Sequence, residues 1–293
     1  IVTGDWSSDV CSSDLHMFSQ ILGKIQLACL PWQNHSWHVA LRMSPEGLAT
    51  KTLSHENISY QLVLDLVQHK LKLQTSLGEN REFNLQGLSV ADFHKKLFSE
   101  LEALKIFPKI YNKPVEVLEA IPFQKNTHNK YNPEAATALH RALLAMQEVF
   151  FKFKCGFKGK SSEVHFFWGS FDVAVSLFSG RKAPKHPGGI PNLANRVAEE
   201  AYSHEVMSFG FWPGSEALPE AAFYSYLYPE PDGFNKAKVL PAKAYYHKDL
   251  REFVLPYKAV QQAENPEEDL MAFLKSVYKA GTELANWDRE ALE

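Results

Sequence analysis

The order of its apolar periodicities constrains this chain most. A run with helical spacing is followed by several alternating runs and a second helical run, and the same order then occurs again. An amphipathic helix and a half-buried strand each have one face that must be covered. A chain of this kind therefore folds as antiparallel sheets with helices laid on one face. The expected class is α+β, in two antiparallel-sheet-plus-helix halves that a duplicated unit would give, although direct identity between them is weak. The halves are residues 16–121 and 132–293, with the polar stretch 122–131 as a linker.

In the first half the spacing predicts a helix over 17–30, ended by Pro31. A strand over 35–43 sets His35, Trp37 and Val39 on one side and Ser36, His38 and Ala40 on the other. Hairpin partners follow at 48–53, 58–66, 69–75 and 82–85, then a Ser89-capped helix over 90–104 and an extended run over 109–117. The second half opens at Pro133 with a helix through 153, followed by one strand over 163–178. A Pro- and Gly-rich loop at 183–191 leads to a helix over 192–204. Strands at 206–212, 222–228, 243–246 and 252–257 precede a closing helix over 266–284.

The 293 residues are 45% hydrophobic and 22% charged, too apolar for a disordered chain. Lys and Arg number 31 against 34 Asp and Glu, so no basic excess argues for nucleic acid. No apolar run is long enough to suggest a membrane-spanning helix, and no membrane partner is expected. The 3 cysteines form no CxxC pair or disulfide framework, which suits a reduced cytoplasm. The start of the chain is no signal peptide. Residues 5–15 instead resemble the in-frame translation of a sequencing-library adapter, and 1–15 are set aside as such, with the native N-terminus expected to be missing. The formal charge of −3 then belongs to Asp5, Asp9 and Asp14, and the remainder is neutral.

Several segments are idiosyncratic: Asn34-His35-Ser36-Trp37-His38-Val39, Val164-His165-Phe166-Phe167-Trp168-Gly169-Ser170-Phe171-Asp172, Phe178-Ser179-Gly180-Arg181 and His186-Pro187-Gly188-Gly189. Glu200-Ala201-Tyr202-Ser203-His204-Glu205, Phe211-Trp212-Pro213-Gly214, Tyr228-Pro229-Glu230-Pro231 and Trp287-Asp288-Arg289 are others. Together they resemble the DUF5996 family, found mainly in bacteria, from His16 to the C-terminus. Members usually carry further residues before the segment matching His16. The resemblance implies no activity, cofactor or catalytic residue.

The residues themselves suggest a candidate site. On a helix over 192–204, His204 falls on the core-facing stripe with Glu200 four residues before it, the spacing at which a carboxylate orients an imidazole as general base or metal ligand. An internally hydrogen-bonded core histidine is the plainer alternative. On a continuous strand over 163–178, Trp168, Ser170 and Asp172 share one side and His165 lies on the other; Asp172 should find Arg181, His186 or a ligand. The loop carrying His186 could wrap that ligand, and His35 could join from the first half. Tyr202 and Trp212 complete the candidate ligand-binding set, while His204, Glu200, Asp172 and His165 form the catalytic one. HExxH, GxSxG and phosphate-loop motifs are absent. Cys155 stands in a Lys-rich segment without an identifiable base. The expected function is an intracellular enzyme or small-molecule binding protein with a His/Asp/Glu-lined pocket, suited to hydrolysis assisted by a divalent metal. The alternative is a non-catalytic structural or protein-interaction module.

Overall fold

The structure is a computed structural model that describes residues 14–214 and 218–293. Most of the adapter-like run lies outside the described residues. Its last two residues lie inside the fold. Leu15 opens the first helix, α1 (Leu15–Cys29), and is fully buried with Phe18, Ile21, Leu22 and Ile25. The buried Asp14 carboxylate takes hydrogen bonds from the Lys130 N–H and the His128 ring.

Short strands β1 (Arg42–Met43), β2 (Gly47–Ala49) and β3 (Leu53–His55) precede the long β4 (Ile58–Asp65), β5 (Lys70–Thr75) and β6 (Arg81–Asn84). They form one antiparallel sheet in the order β1-β2-β4-β5-β6, with β3 also on β4. Helix α2 (Val90–Ala103) begins in a capping box, in which the Ser89 hydroxyl accepts from the Asp92 N–H and the Asp92 carboxylate accepts from the Ser89 N–H. Ser89→Ala is expected to cost about 1 kcal/mol, read as a lower urea midpoint at unchanged slope. The run 109–117, expected to be extended, forms no strand. The stretch 122–131 is packed rather than free: Phe123 is fully buried, and the Asn126 and His128 carbonyls accept from the first N–H groups of α2.

The second half opens with α3 (Pro133–Lys154), capped by Asn132. Strands β7 (His165–Phe167) and β8 (Asp172–Lys182), helix α4 (Asn195–Ala201), and strands β9 (His204–Trp212) and β10 (Ala222–Tyr228) follow. Then come β11 (Tyr245–His247), β12 (Glu252–Pro256), and helices α5 (Tyr257–Gln261), α6 (Pro266–Leu284) and α7 (Arg289–Leu292). The second sheet is antiparallel in the order β11-β12-β10-β9-β8-β7. Each half is thus a helix, an antiparallel sheet and a helix, with α4 inserted in the second, where β12 also enters between β10 and β11.

Three expected elements differ. The 35–43 strand is a tight 3-10 turn at Asn34–Ser36 with only Arg42–Met43 extended; His35 and Ser36 take left-handed φ of 57° and 59°. His35 and His38 are therefore both buried, not split between core and surface. The 163–178 strand is a hairpin that reverses between Phe167 and Asp172, through Phe171 at φ 60°. The 192–204 helix covers only Asn195–Ala201, and His204 begins β9.

The sheets are joined edge to edge. Leu41 and Phe166 exchange backbone hydrogen bonds of 2.9 and 3.2 Å, so β1 continues from β7 and both sheets run away from this seam. Period-2 geometry then sorts the second sheet. Val175, Met207, Phe209, Phe211 and Phe223 face the helices; Phe153 of α3 meets Phe209 with ring centroids 4.7 Å apart. On α6, Gly281 lets the Met207 methyl and the Phe234 and Leu227 side chains pack close to the helix backbone. The reverse face carries His165, Asp172, Phe178, Ser208, Tyr224 and Tyr226. Polar and aromatic groups thus occupy the face that α3 and α6 leave open.

Candidate functional site

Asp172 starts β8 at one end of the reverse face and is buried. Its partner reaches it from two strands away. Tyr224 on β10 pairs with Gly210 on β9, and a Cβ at Gly210 would overlap the Tyr224 ring. The phenol therefore lies across Gly210, and its hydroxyl donates to Asp172 Oδ2. Tyr226 stacks on Tyr224 with centroids 6.1 Å apart and planes within 7°, and its hydroxyl lies 2.7 Å from that of Tyr202. Glu116 arrives from the irregular segment between α2 and α3 and accepts from the Ser170 hydroxyl. Its carboxylate lies where a Cβ of residue 169 would be.

These carboxyls are all displaced toward the neutral acid. Burial raises Asp172 to about 7; the Glu116 charge adds to this, and the Tyr224 hydrogen bond opposes it. Burial also raises Glu252, at the start of β12, to about 7, with the charge of Asp172 adding. Glu116 is raised by burial against the Ser170 bond, and Tyr202 is pushed up to about 12, mainly by burial. No ion pair among the described residues involves Asp172, Glu116 or Glu252. With no cation to offset burial, the neutral acid is the favoured form.

A second group surrounds His35. Its N–H donates to Glu200 Oε1 at 2.7 Å, and its ring Nδ1 lies 3.0 Å from the Ala201 carbonyl. A carbonyl only accepts, so Nδ1 carries the proton and the Nε2 lone pair faces the Lys160 ammonium at 2.6 Å. Burial lowers both His35 and Lys160. The Lys160 ammonium stands 5.4 Å from the Trp37 ring centroid and 5.2 Å from that of Phe178. His204 is half-buried with its ring 6.1 Å from His35, and Ser203 Oγ lies 3.1 Å from its Nδ1. The expected helical pairing of Glu200 with His204 does not form, because α4 stops at Ala201. Glu200 fixes the backbone of His35 instead.

The structure therefore unites His35, Glu200 and His204 in one cluster, and Asp172, Ser170 and Tyr202 in another. His35 rests on Phe178, six residues along β8 from Asp172, or about 20 Å. Asp172 and His204, placed in one pocket by the sequence, do not share a reacting centre. His186 stacks on Tyr202 at 4.6 Å, so its loop does cover this face. Trp212 is half-buried on β9. Two candidates serve the architecture. Trp168 is buried against α1 and donates to the Val39 carbonyl at 2.8 Å. Arg181 is paired not with Asp172 but with Glu205 at 2.7 Å, and holds the Ala285 and Asn286 carbonyls at the end of α6. Trp168, Ser170 and Asp172 do not line one strand face, because the hairpin turn runs through them.

Sequence reasoning did not single out Glu116, Glu252, Lys160, Tyr224 or Tyr226. The alternation of Tyr224 and Tyr226 against Phe223 and Leu227 marked a face unlike the core. Glu116 lies in a segment without periodicity and carried no such signal. No group of three or more His, Cys, Asp or Glu among the described residues is placed to hold a metal ion, and no described helix is long and apolar enough to cross a membrane.

Fold and site together define an α+β protein of two edge-joined antiparallel sheets, with a protonatable, tyrosine-rich face on the second. The chain belongs to DUF5996, a family of unknown function whose model matches residues 5–293. No curated protein and no solved structure matches it.

Proposed function

We propose that the reverse face of the second sheet binds a small molecule bearing a carbonyl or hydroxyl oxygen, and that Asp172 exchanges a proton with it. One observation carries this reading: Asp172 is a buried carboxyl with no cation partner, hydrogen-bonded by Tyr224 and held near pH 7. A group that titrates near the working pH is suited to act as both general acid and general base. The protonated carboxyl donates a hydrogen bond, and the phenols of Tyr202 and Tyr226 offer further donors and acceptors beside it. A purely structural face would gain nothing from Asp172, Glu116 and Glu252 without cations, since each is costly to bury. That argues against the interaction-module alternative. Free thiols at Cys29 and Cys155 support work in a reduced, cytoplasmic setting.

Native mass spectrometry of protein purified from cells, followed by a thermal-shift screen of carbonyl and hydroxyl compounds, tests the reading. A compound that stabilises the wild type should bind at least tenfold more weakly to Asp172→Asn and to Tyr224→Phe. Equal affinity in both variants would overturn it, as would the lack of any retained or stabilising compound.

A further inference from the structure

At the seam between the sheets the reverse face carries charge of the opposite kind. The antiparallel bridge of Leu41 with Phe166 sets Arg42 directly opposite His165. His165 is 8% exposed and its Nδ1 has no hydrogen-bond partner; Ser36 is also 8% exposed and its Oγ has none. A buried polar atom without a partner is costly, so two of them flanking one residue need an explanation. Trp37 follows Ser36, and its ring stands 6.1 Å from that of His165. Lys160 lies over the Trp37 ring and Lys51 Nζ donates to the Trp37 carbonyl at 2.9 Å.

The charges of Lys51, Lys154 and Arg42 all bear on the His165 ring and, with burial as the larger cause, lower it to about 4. The ring is therefore neutral, with one N–H to give. None of Arg42, Lys51, Lys154 or Lys160 belongs to an ion pair among the described residues. The lysines donate to neutral acceptors: the Trp37 and Ser162 carbonyls and the His35 imidazole. Glu200, whose Oε2 is buried without a hydrogen-bond partner, acts on Lys160, His35 and His38 and so offsets Lys160. The charges that bear on Lys51 and His165 are all positive, which leaves Arg42 and Lys51 as the uncompensated cations.

We propose that this seam binds an oxyanion, the phosphate or carboxylate group of a small ligand, with Arg42 and Lys51 supplying charge and His165 Nδ1 and the Ser36 hydroxyl supplying hydrogen bonds. Both halves of the chain contribute, so the site exists only when they are joined. It does not depend on the acid–base reading of Asp172. The two are nevertheless neighbours: His165 pairs with Ala174, two positions from Asp172, which places their Cβ atoms roughly 7 Å apart. One small anionic molecule could span them, its charged group at the seam and its oxygen at Asp172.

Titration calorimetry of the full chain at low salt, with inorganic phosphate and separately with succinate, tests the assignment. Saturable binding of one anion per chain is expected, weakened at least tenfold in Arg42→Gln/Lys51→Gln and unchanged in Lys152→Gln. Tighter phosphate binding would identify a phosphate ligand, and tighter succinate binding a carboxylate one. Because Lys51 also holds the Trp37 carbonyl, Arg42→Gln alone and the ¹⁵N resonances of His165 in the wild type serve as independent readouts. Failure of both anions to saturate, full-strength binding in Arg42→Gln and the folded double variant, or ring resonances that do not move would overturn the proposal.

Discussion

Gly23→Ala is expected to destabilise the protein, against the usual benefit of alanine in a helix. Alanine in the middle of α1 should gain about 1 kcal/mol of helix propensity. A Cβ at position 23, however, would overlap the indole of Trp168. That ring cannot withdraw easily: it is 5% exposed, its Nε1–H holds the Val39 carbonyl at 2.8 Å, and Lys24 lies 5.7 Å from its centroid. Forcing extra volume into such a contact costs roughly 1–3 kcal/mol, occasionally more. Against the helix gain this leaves a net loss of up to about 2 kcal/mol for alanine, and a larger one for Gly23→Val. Trp168 belongs to the β7–β8 turn of the second half, whereas Gly23 belongs to the first, so the clash falls on the contact that joins them. Urea unfolding followed by circular dichroism measures this. Adding Trp168→Leu to Gly23→Ala should recover part of the loss, since the two residues occupy one space. A neutral or stabilising Gly23→Ala would show that the helix approaches the turn less closely than described.

The same contact shows where sequence reading succeeds and where it stops. Helix α6 is legible because Pro266 starts it and its apolar residues recur at helical spacing to Leu284; Ser89 announces α2 in the same way. The reversal after Phe167 left no comparable trace. The aromatic-rich run from Val164 to Asp172 reads as one extended segment in the sequence, and the residue that takes the left-handed conformation is Phe171, not a glycine. Likewise His35 and Ser36 turn the chain where their neighbours read as a strand. His204 satisfies a helical stripe and an alternating run equally well, and its pairing with Lys182 on β8 decides for the strand. The involvement of Asp172 in a polar site was legible because a lone acid between apolar residues must find partners. Tyr224 was not legible as that partner, because it reaches Asp172 across Gly210 through a contact distant in sequence, and Glu116 was not legible beside it, because it comes from a segment without periodicity and bonds Ser170.

Asp172 also dictates how stability should change with pH. Its carboxyl ordinarily titrates at 3.8 and in the folded chain at about 7. Between those values the native state keeps a proton that the unfolded chain has released, so stability falls as pH rises through this window and the loss is complete above it. A displacement of this size is worth on the order of 4 kcal/mol. Glu252, also near 7, adds in the same direction but not independently, because ionising either acid raises the other. Two histidines, one half-buried and one buried, oppose the trend. His16, held against the Trp168 and Gly169 carbonyls, and His165 are both lowered from 6.5 to about 4, so each adds stability as pH rises from 4 to 6.5. The wild-type curve alone would blend these contributions, but Asp172→Asn leaves both histidines in place. The difference between wild type and Asp172→Asn, measured by urea unfolding from pH 4.5 to 8.5, should therefore shift in favour of the variant by several kcal/mol, with most of the change below pH 7. Parallel curves would mean that Asp172 is ionised throughout. It would then have no proton near neutral pH to give a ligand, and the acid–base role proposed for it would fail on the same measurement.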